Sequence, residues 1–177
     1  MAKPLAGLRI AALRALAGVS GASALVALTS GSEGLSLKPY RDIAGVSTVC
    51  FGETNVKMKT YTLAQCQDIL AGSLAGYAKG VRATVPGFDS LTPGQKAAAV
   101  DYAYNRGLGS WSRASLPGEP PSVLDAYKRH DFPAACDLYP KWAIMKRAGR
   151  WVDCSVRSNG CMGIYTRRMN ERVQCLG

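Results

Sequence analysis

Six cysteines constrain this chain more than any other feature: they stand at positions 50, 66, 136, 154, 161 and 175 of 177. The number is even and no C-x-x-C pair occurs, so zinc, which wants tighter spacing and usually histidines, is a poor fit. Disulfides formed in an oxidising compartment fit better. Buried free thiols packing as small apolar groups are the alternative. The expected pairing is Cys50–Cys66, Cys154–Cys161 and Cys136–Cys175. The second closes a short loop over residues 155–160, and the third staples the C-terminal segment onto the body.

The N-terminus also points to export. Lys3, Arg9 and Arg14 precede an uncharged stretch at residues 15–32, with ten apolar residues, three glycines, four serines and one threonine. As a helix it is about 27 Å long, barely enough to cross a bilayer core. The basic flank holds its start in the cytoplasm. Half of the apolar residues are alanine, so insertion is marginal. A weak, reversible inner-membrane anchor is the first reading. A cleaved signal (Ala22-Ser23-Ala24 is a small-residue site) and a first soluble helix are the others. The domain division expected is residues 1–32 as this segment and 33–177 as the catalytic body. The body is exported to the periplasm and at first tethered.

The body has the apolar content for one core, 47% of the chain. A net charge of +10 draws it to polyanions. The single histidine, His130, argues against His-rich metal sites and a Ser-His-Asp hydrolase. No metal, no cofactor and no nucleic-acid module is expected, and a monomer is. Carboxylates must carry any acid–base chemistry.

Residues 36–60 are rich in β-branched and turn residues and read as one or two hairpins, with Gly45 and Gly52 at turns. Thr62 with Gln65, and Thr92 with Pro93 and Gln95, are helix starts. The first helix carries the stripe Leu63, Cys66, Leu70, Leu74, Tyr77, Val81. The second ends near Gly107. Residues 116–121 form a loop. Further helical segments are expected at 122–129, 133–139 and 141–148, an irregular stretch at 150–161, and a last helix at 163–175. The class is α+β: a small antiparallel sheet lobe and a mainly helical lobe with a cleft between them.

Glu33 ends the N-terminal segment, Asp42 follows nine residues later and Thr48 six after that. The intervening chain is long enough to leave a helix and return across a cleft. Two carboxylates in different environments suit glycosidic cleavage: one protonates the leaving oxygen, the other guides water or stabilises a cationic sugar. Taken alone, such spacing is most often two solvated surface charges.

The wider pattern is Glu33-Gly34-Leu35-x-Leu37-Lys38-x-Tyr40-x-Asp42-x-x-Gly45-x-x-Thr48-x-x-x-Gly52. It resembles the active-site signature of phage-type lysozymes, glycoside hydrolase family 24. Gln95-x-Ala97-Ala98, Tyr104-Asn105-x-Gly107-x-Gly109, Trp142 and Arg167-Arg168-x-x-Glu171-Arg172 agree as well. The cysteines and the weak N-terminal span look like the signal-anchor-release endolysin branch.

The resemblance implies lysis of the host wall, by hydrolysis of the β-1,4 bond between N-acetylmuramic acid and N-acetylglucosamine in peptidoglycan glycan strands. Glu33 would be the general acid; Asp42 and Thr48 would position the water, with inversion. Tyr104, Asn105 and Gly107 are candidate sugar contacts, or helix-end structure. A lytic transglycosylase and a non-enzymatic cationic wall- or membrane-binding protein are the alternatives.

This chain departs from the pattern at Glu53, where many relatives carry histidine. Arg41, Arg106 or Arg168 would have to supply a positive partner. Trp111, Trp142 and Trp151 are expected in the core rather than stacked on sugars. Residues 141–177 hold eight basic and two acidic side chains. These either form an ion-pair network steadying the last helix or steer the chain to an anionic wall.

Overall fold

The computed structural model describes residues 21–32, 34–42 and 45–177. Residues 15–20 of the uncharged stretch, and Glu33, lie outside the described residues. Helix α1 (Ala22–Ser32) is followed by an antiparallel hairpin, β1 (Ser36–Arg41) and β2 (Ser47–Cys50). Tyr40 pairs with Thr48 and Arg41 with Ser47. Gly45 (φ 77°) turns the chain before β2, and Gly52 (φ 90°) turns it back so that Val49 and Glu53 exchange backbone hydrogen bonds. Both conformations are left-handed, where glycine meets no Cβ penalty.

The helical lobe comprises α2 (Leu63–Arg82), α3 (Pro93–Arg106), α4 (Leu108–Ser112), α5 (Val123–Lys128), α6 (Phe132–Leu138) and α7 (Met162–Leu176). Both expected helix starts are full capping boxes: Thr62 with Gln65 on α2, Thr92 with Gln95 on α3. Each satisfies backbone donors that a helix end otherwise leaves unpaired. Helix α3 is the axis of the lobe. Residues 96–103 are all buried, three of them consecutive alanines, and a helix apolar all round belongs at the centre of a core. Small residues let its neighbours close in. A β-carbon at Gly94 would overlap the Gln174 carbonyl of α7.

Helix α1, the second part of the uncharged stretch, lies on α3 and α7 and buries Leu25, Val26 and Thr29. No described helix is long and apolar enough to cross a membrane.

A buried polar chain joins the three helices. The Thr29 hydroxyl donates to Asp101 Oδ1 at 2.6 Å, and Arg167 donates to both Asp101 oxygens at 2.9 and 3.0 Å. Arg168 Nη2 lies 3.0 Å from Glu171 Oε1 and donates to Asn105 Oδ1 at 2.6 Å. Burial opposes the charge on Asp101, but Arg167, with the Thr29 bond, outweighs it, and the carboxyl lies below its ordinary range. Burial, with Asp101 adding to it, pushes Glu171 well above the usual carboxylate range against the pull of the two arginines. The last-helix arginines are therefore an internal network, as the first of the two readings has it.

Three disulfides form: Cys50–Cys66, Cys136–Cys175 and Cys154–Cys161. The first ties the small lobe to α2 and the second ties α6 to α7.

Two expectations are corrected. The segment at 141–148 is not a helix. A 3-10 turn at Tyr139–Trp142 ends in strand β3 (Ile144–Arg147), which pairs with β4 (Arg150–Asp153) across a turn at Ala148 (φ 48°) and Gly149 (φ 79°). Local helix propensity loses there to cross-strand pairing and to Met145 and Val152 packing beside the Cys154–Cys161 bridge. Trp111 and Trp142 are buried as expected, but Trp151 on β4 is 37% exposed.

Candidate active site

Alternation along the hairpin places Tyr40 of β1, and Asp42 just beyond its end, on one face, with Thr48 of β2 opposite Tyr40. That face opens into a cleft of about 570 Å³ between the lobes. Tyr40, Asp42, Thr48, Gly52, Glu53, Thr54 and Asn55 line the hairpin side; Ser73 and Tyr77 of α2 and Tyr104 and Asn105 of α3 line the helical side. Two of the three residues expected to do the chemistry, Asp42 and Thr48, thus share one hollow. The position of Glu33 lies outside the described residues.

Asp42 is fixed by its own turn. Its backbone amide donates to the Val46 carbonyl at 3.0 Å, and its Oδ1 accepts from the Val46 amide at 2.9 Å. Thr48 is buried, and its hydroxyl donates to the Val46 carbonyl at 3.0 Å. The hairpin turn therefore sets both side chains relative to each other.

Glu53, 8% exposed, sits on the cleft wall. The Ser73 hydroxyl donates to its Oε2 at 3.0 Å. The Tyr104 hydroxyl lies 3.1 Å from both Glu53 Oε1 and the Phe51 carbonyl. Glu53 is thus an acceptor that takes hydroxyl bonds from α2 and α3 and joins the small lobe to both helices. Tyr77 packs edge-on against Tyr104, ring centres 5.3 Å apart.

Asn105 is exposed in the cleft, and its carbonyl oxygen is engaged by Arg168. Gly107 caps α3 and is not among the lining residues. Of the proposed cationic partners, Arg41 donates to the Gly45 carbonyl at 2.6 Å, Arg106 stacks over Trp142 and Arg168 donates to Asn105; Glu33, beside which they are expected, lies outside the described residues. Ser73 went unnoticed in the sequence, and Tyr40 of the signature and Tyr77 were given no place in the site. Tyr77 was hidden inside an apolar helical stripe, though its phenol ring had a polar end to mark it. Among the described residues no cluster of His, Cys, Asp or Glu can hold a metal.

A small hairpin lobe set against a helical lobe, with carboxylates in the groove between, defines a lysozyme-like protein. The family model for phage lysozyme matches residues 30–171, and the chain belongs to that family. It is a glycoside hydrolase of the lysozyme type.

Among its relatives are a SAR-endolysin of Enterobacteria phage PA-2 and one of Bacteriophage PS119. The first is 31% identical over 96% of this chain and 95% of the relative. The second is 30% identical over 96% and 94%. Two solved structures share the fold. The muramidase domain of SpmX from Asticaccaulis excentricus has a TM-score of 0.71 at 20% identity, covering 87% of this chain and 95% of that one. The endolysin of Escherichia coli O157:H7 phage FAHEc1 has 0.69 at 20%, covering 97% and 94%.

Proposed function

We propose that the chain is an endolysin that hydrolyses the β-1,4 bond between N-acetylmuramic acid and N-acetylglucosamine. The observation that carries this is that Asp42 and Thr48, set by one hairpin turn, line the same cleft, of a size that takes sugars. In this reading Glu33 donates its proton to the leaving glycosidic oxygen. The Asp42 carboxylate and Thr48 hydroxyl hold a water that attacks the anomeric carbon from the opposite side. The water's proton passes to Asp42, and the configuration inverts.

Clearance of purified peptidoglycan by the wild type, Glu33→Gln and Asp42→Asn tests it. Each variant is expected to lose about 10²–10⁴-fold in rate, the range for removing a general acid or base. Wild-type clearance by either refutes the assignment. Products with a reducing end are expected; an anhydro sugar would mean transglycosylation.

The tether is part of the same proposal. Residues 15–32 first span the inner membrane, and on release their second half folds onto the body as α1. While the segment is in lipid, the groove on α3 and α7 lacks Leu25, Val26 and Thr29, and Glu33 is held at the lipid boundary away from Asp42. The names of the relatives support this reading, as does the composition of the stretch.

A further inference from the structure

Of the eight basic residues after position 140, three are accounted for internally. Arg167 and Arg168 are buried in the network around Asp101 and Glu171, and Arg172 pairs with Asp137 at 2.7 Å. The other five, Lys141, Lys146, Arg147, Arg150 and Arg157, are all exposed on or beside the β3–β4 hairpin. None has a carboxylate partner among the described residues.

The folding of the hairpin does not require these charges. Its inner face, Met145 and Val152, packs with Ile164, Tyr165 and the Cys154–Cys161 bridge and fixes the hairpin to the body. Its outer face pairs Lys146 with Trp151, the ammonium 5.5 Å from the ring centre. At the tip Arg147 stands directly opposite Arg150. Like charges in that position destabilise a hairpin. Trp151 is left outside, and Val156, just beyond β4, is 46% exposed. The hairpin's one acid, Asp153, lies at its base and accepts from the Ser155 amide at 2.8 Å.

We propose that the β3–β4 hairpin is a docking surface for an anionic phospholipid membrane. Adjacent cations are drawn to such a surface, and a tryptophan ring is the side chain that settles at headgroup level. Arg147 opposite Arg150 concentrates positive charge at the tip, which suits a plane of charged headgroups; stacking of Trp151 on a glycan is the outcome the sacculus arm of the test detects. The surface holds the body against the bilayer from a side chain cluster distinct from the cleft lining. It uses no catalytic residue, so its failure leaves the muramidase reading untouched.

The test uses the full-length protein and the fluorescence of Trp151, the one exposed tryptophan beside the buried Trp111 and Trp142. Acrylamide quenching is measured alone, with phosphatidylcholine vesicles, and with phosphatidylcholine–phosphatidylglycerol vesicles. Shielding is expected only with the anionic vesicles, and it is expected to vanish in salt of about 1 M, where screening reaches ~3 Å. Each basic residue near such a surface counts about fivefold in partitioning, so the triple variant K146Q/R147Q/R150Q should need about a hundredfold more lipid for the same shielding. W151F should remove the shielded signal altogether.

Binding through the N-terminal segment alone would leave Trp151 open to acrylamide, so that result overturns the proposal. So does equal shielding by neutral vesicles, wild-type shielding in the triple variant, or shielding by peptidoglycan sacculi in place of vesicles.

Discussion

Thr29 is where the docking of α1 can be measured. Its hydroxyl is buried, donates to a buried carboxylate at 2.6 Å and has no solvent to fall back on. Thr29→Val keeps the shape and removes the donor. A hydrogen bond to a charged acceptor contributes about 1.5–3 kcal/mol. Asp101 keeps two N–H donors from Arg167, which places the loss near the middle, about 2 kcal/mol. If α1 opens as a local unit, its amides should then exchange with solvent about 30-fold faster, while α3 and α7 are unchanged. If the loss is global, the melting temperature should fall by about 4–8 °C. Hydrogen exchange read by mass spectrometry on peptides spanning residues 22–32 separates the two. Thr29→Ser should restore most of the protection. Ser30→Ala is the control, because that hydroxyl bonds only to the Val26 and Ala27 carbonyls of its own helix. Wild-type exchange and melting in Thr29→Val would refute the view that this bond holds the helix in place.

Glu119 fixes the Pro-rich loop: it receives both Arg113 nitrogens at 2.7 and 2.8 Å and the Leu116 amide at 2.9 Å. The Arg113 bonds bring its carboxyl down to about 2. A depressed carboxyl stabilises the fold above its unfolded value and loses that contribution as pH falls through about 2. Glu119→Gln should therefore melt earlier than wild type at neutral pH, with the gap closing in acid; a gap independent of pH would count against this. Of the disulfides, Cys136–Cys175 closes a loop of 39 residues and Cys154–Cys161 one of 7. Loop-closure entropy gives about 4 and about 2.4 kcal/mol respectively, so the double serine variant at 136 and 175 should be the less stable of the two in denaturant titration. Ser23 and Ala27 lie on the exposed side of α1. Ser23→Leu with Ala27→Leu should hold the protein in the membrane fraction and delay lysis without loosening the docked helix. Unaltered release would reject the tether. Gly21 is a poor site for the same purpose: at φ 94° and against Pro93, a side chain there disturbs docking itself.

Features written in a few adjacent residues were the legible ones. The two capping boxes, the glycine turns at 45 and 52, and the cysteine spacing all rest on local chemistry, and so does the Asp42–Thr48 relation, which one hairpin turn sets. The second hairpin was not legible: residues 141–148 favour helix, and only pairing with β4 and the contact of Met145 and Val152 with α7 override them. The Thr29–Asp101–Arg167 chain links positions 72 and 66 residues apart. One clue to it stood in plain view: Asp101 is a lone acid inside the alanine-rich run of α3, where a charge must find partners. Glu53 was noticed only as a departure from a pattern, because its partners, Ser73 and Tyr104, come from two distant helices.

Under the proposed tether, three hydroxyls of α1 suit one segment to both lipid and protein. Ser30 donates to the Val26 carbonyl at 2.7 Å, Ser32 to Leu28 at 2.9 Å, and Thr29 lies 3.0 Å from the Leu25 carbonyl. Each of these three reaches a carbonyl four residues back, so its hydroxyl finds a partner inside the helix and demands no water. In the tethered form as proposed, these three hydroxyls bring no orphaned donor into the bilayer, yet an alanine and glycine surface gains little from staying there. The body offers what lipid lacks: a groove that buries Leu25 and Val26, and a carboxylate for Thr29. Under the proposed tether the preference between the two sites is a difference between two adequate fits, to which the Thr29 bond contributes about 2 kcal/mol. On that same proposal a more apolar segment would be trapped in lipid, and a more polar one would not enter it.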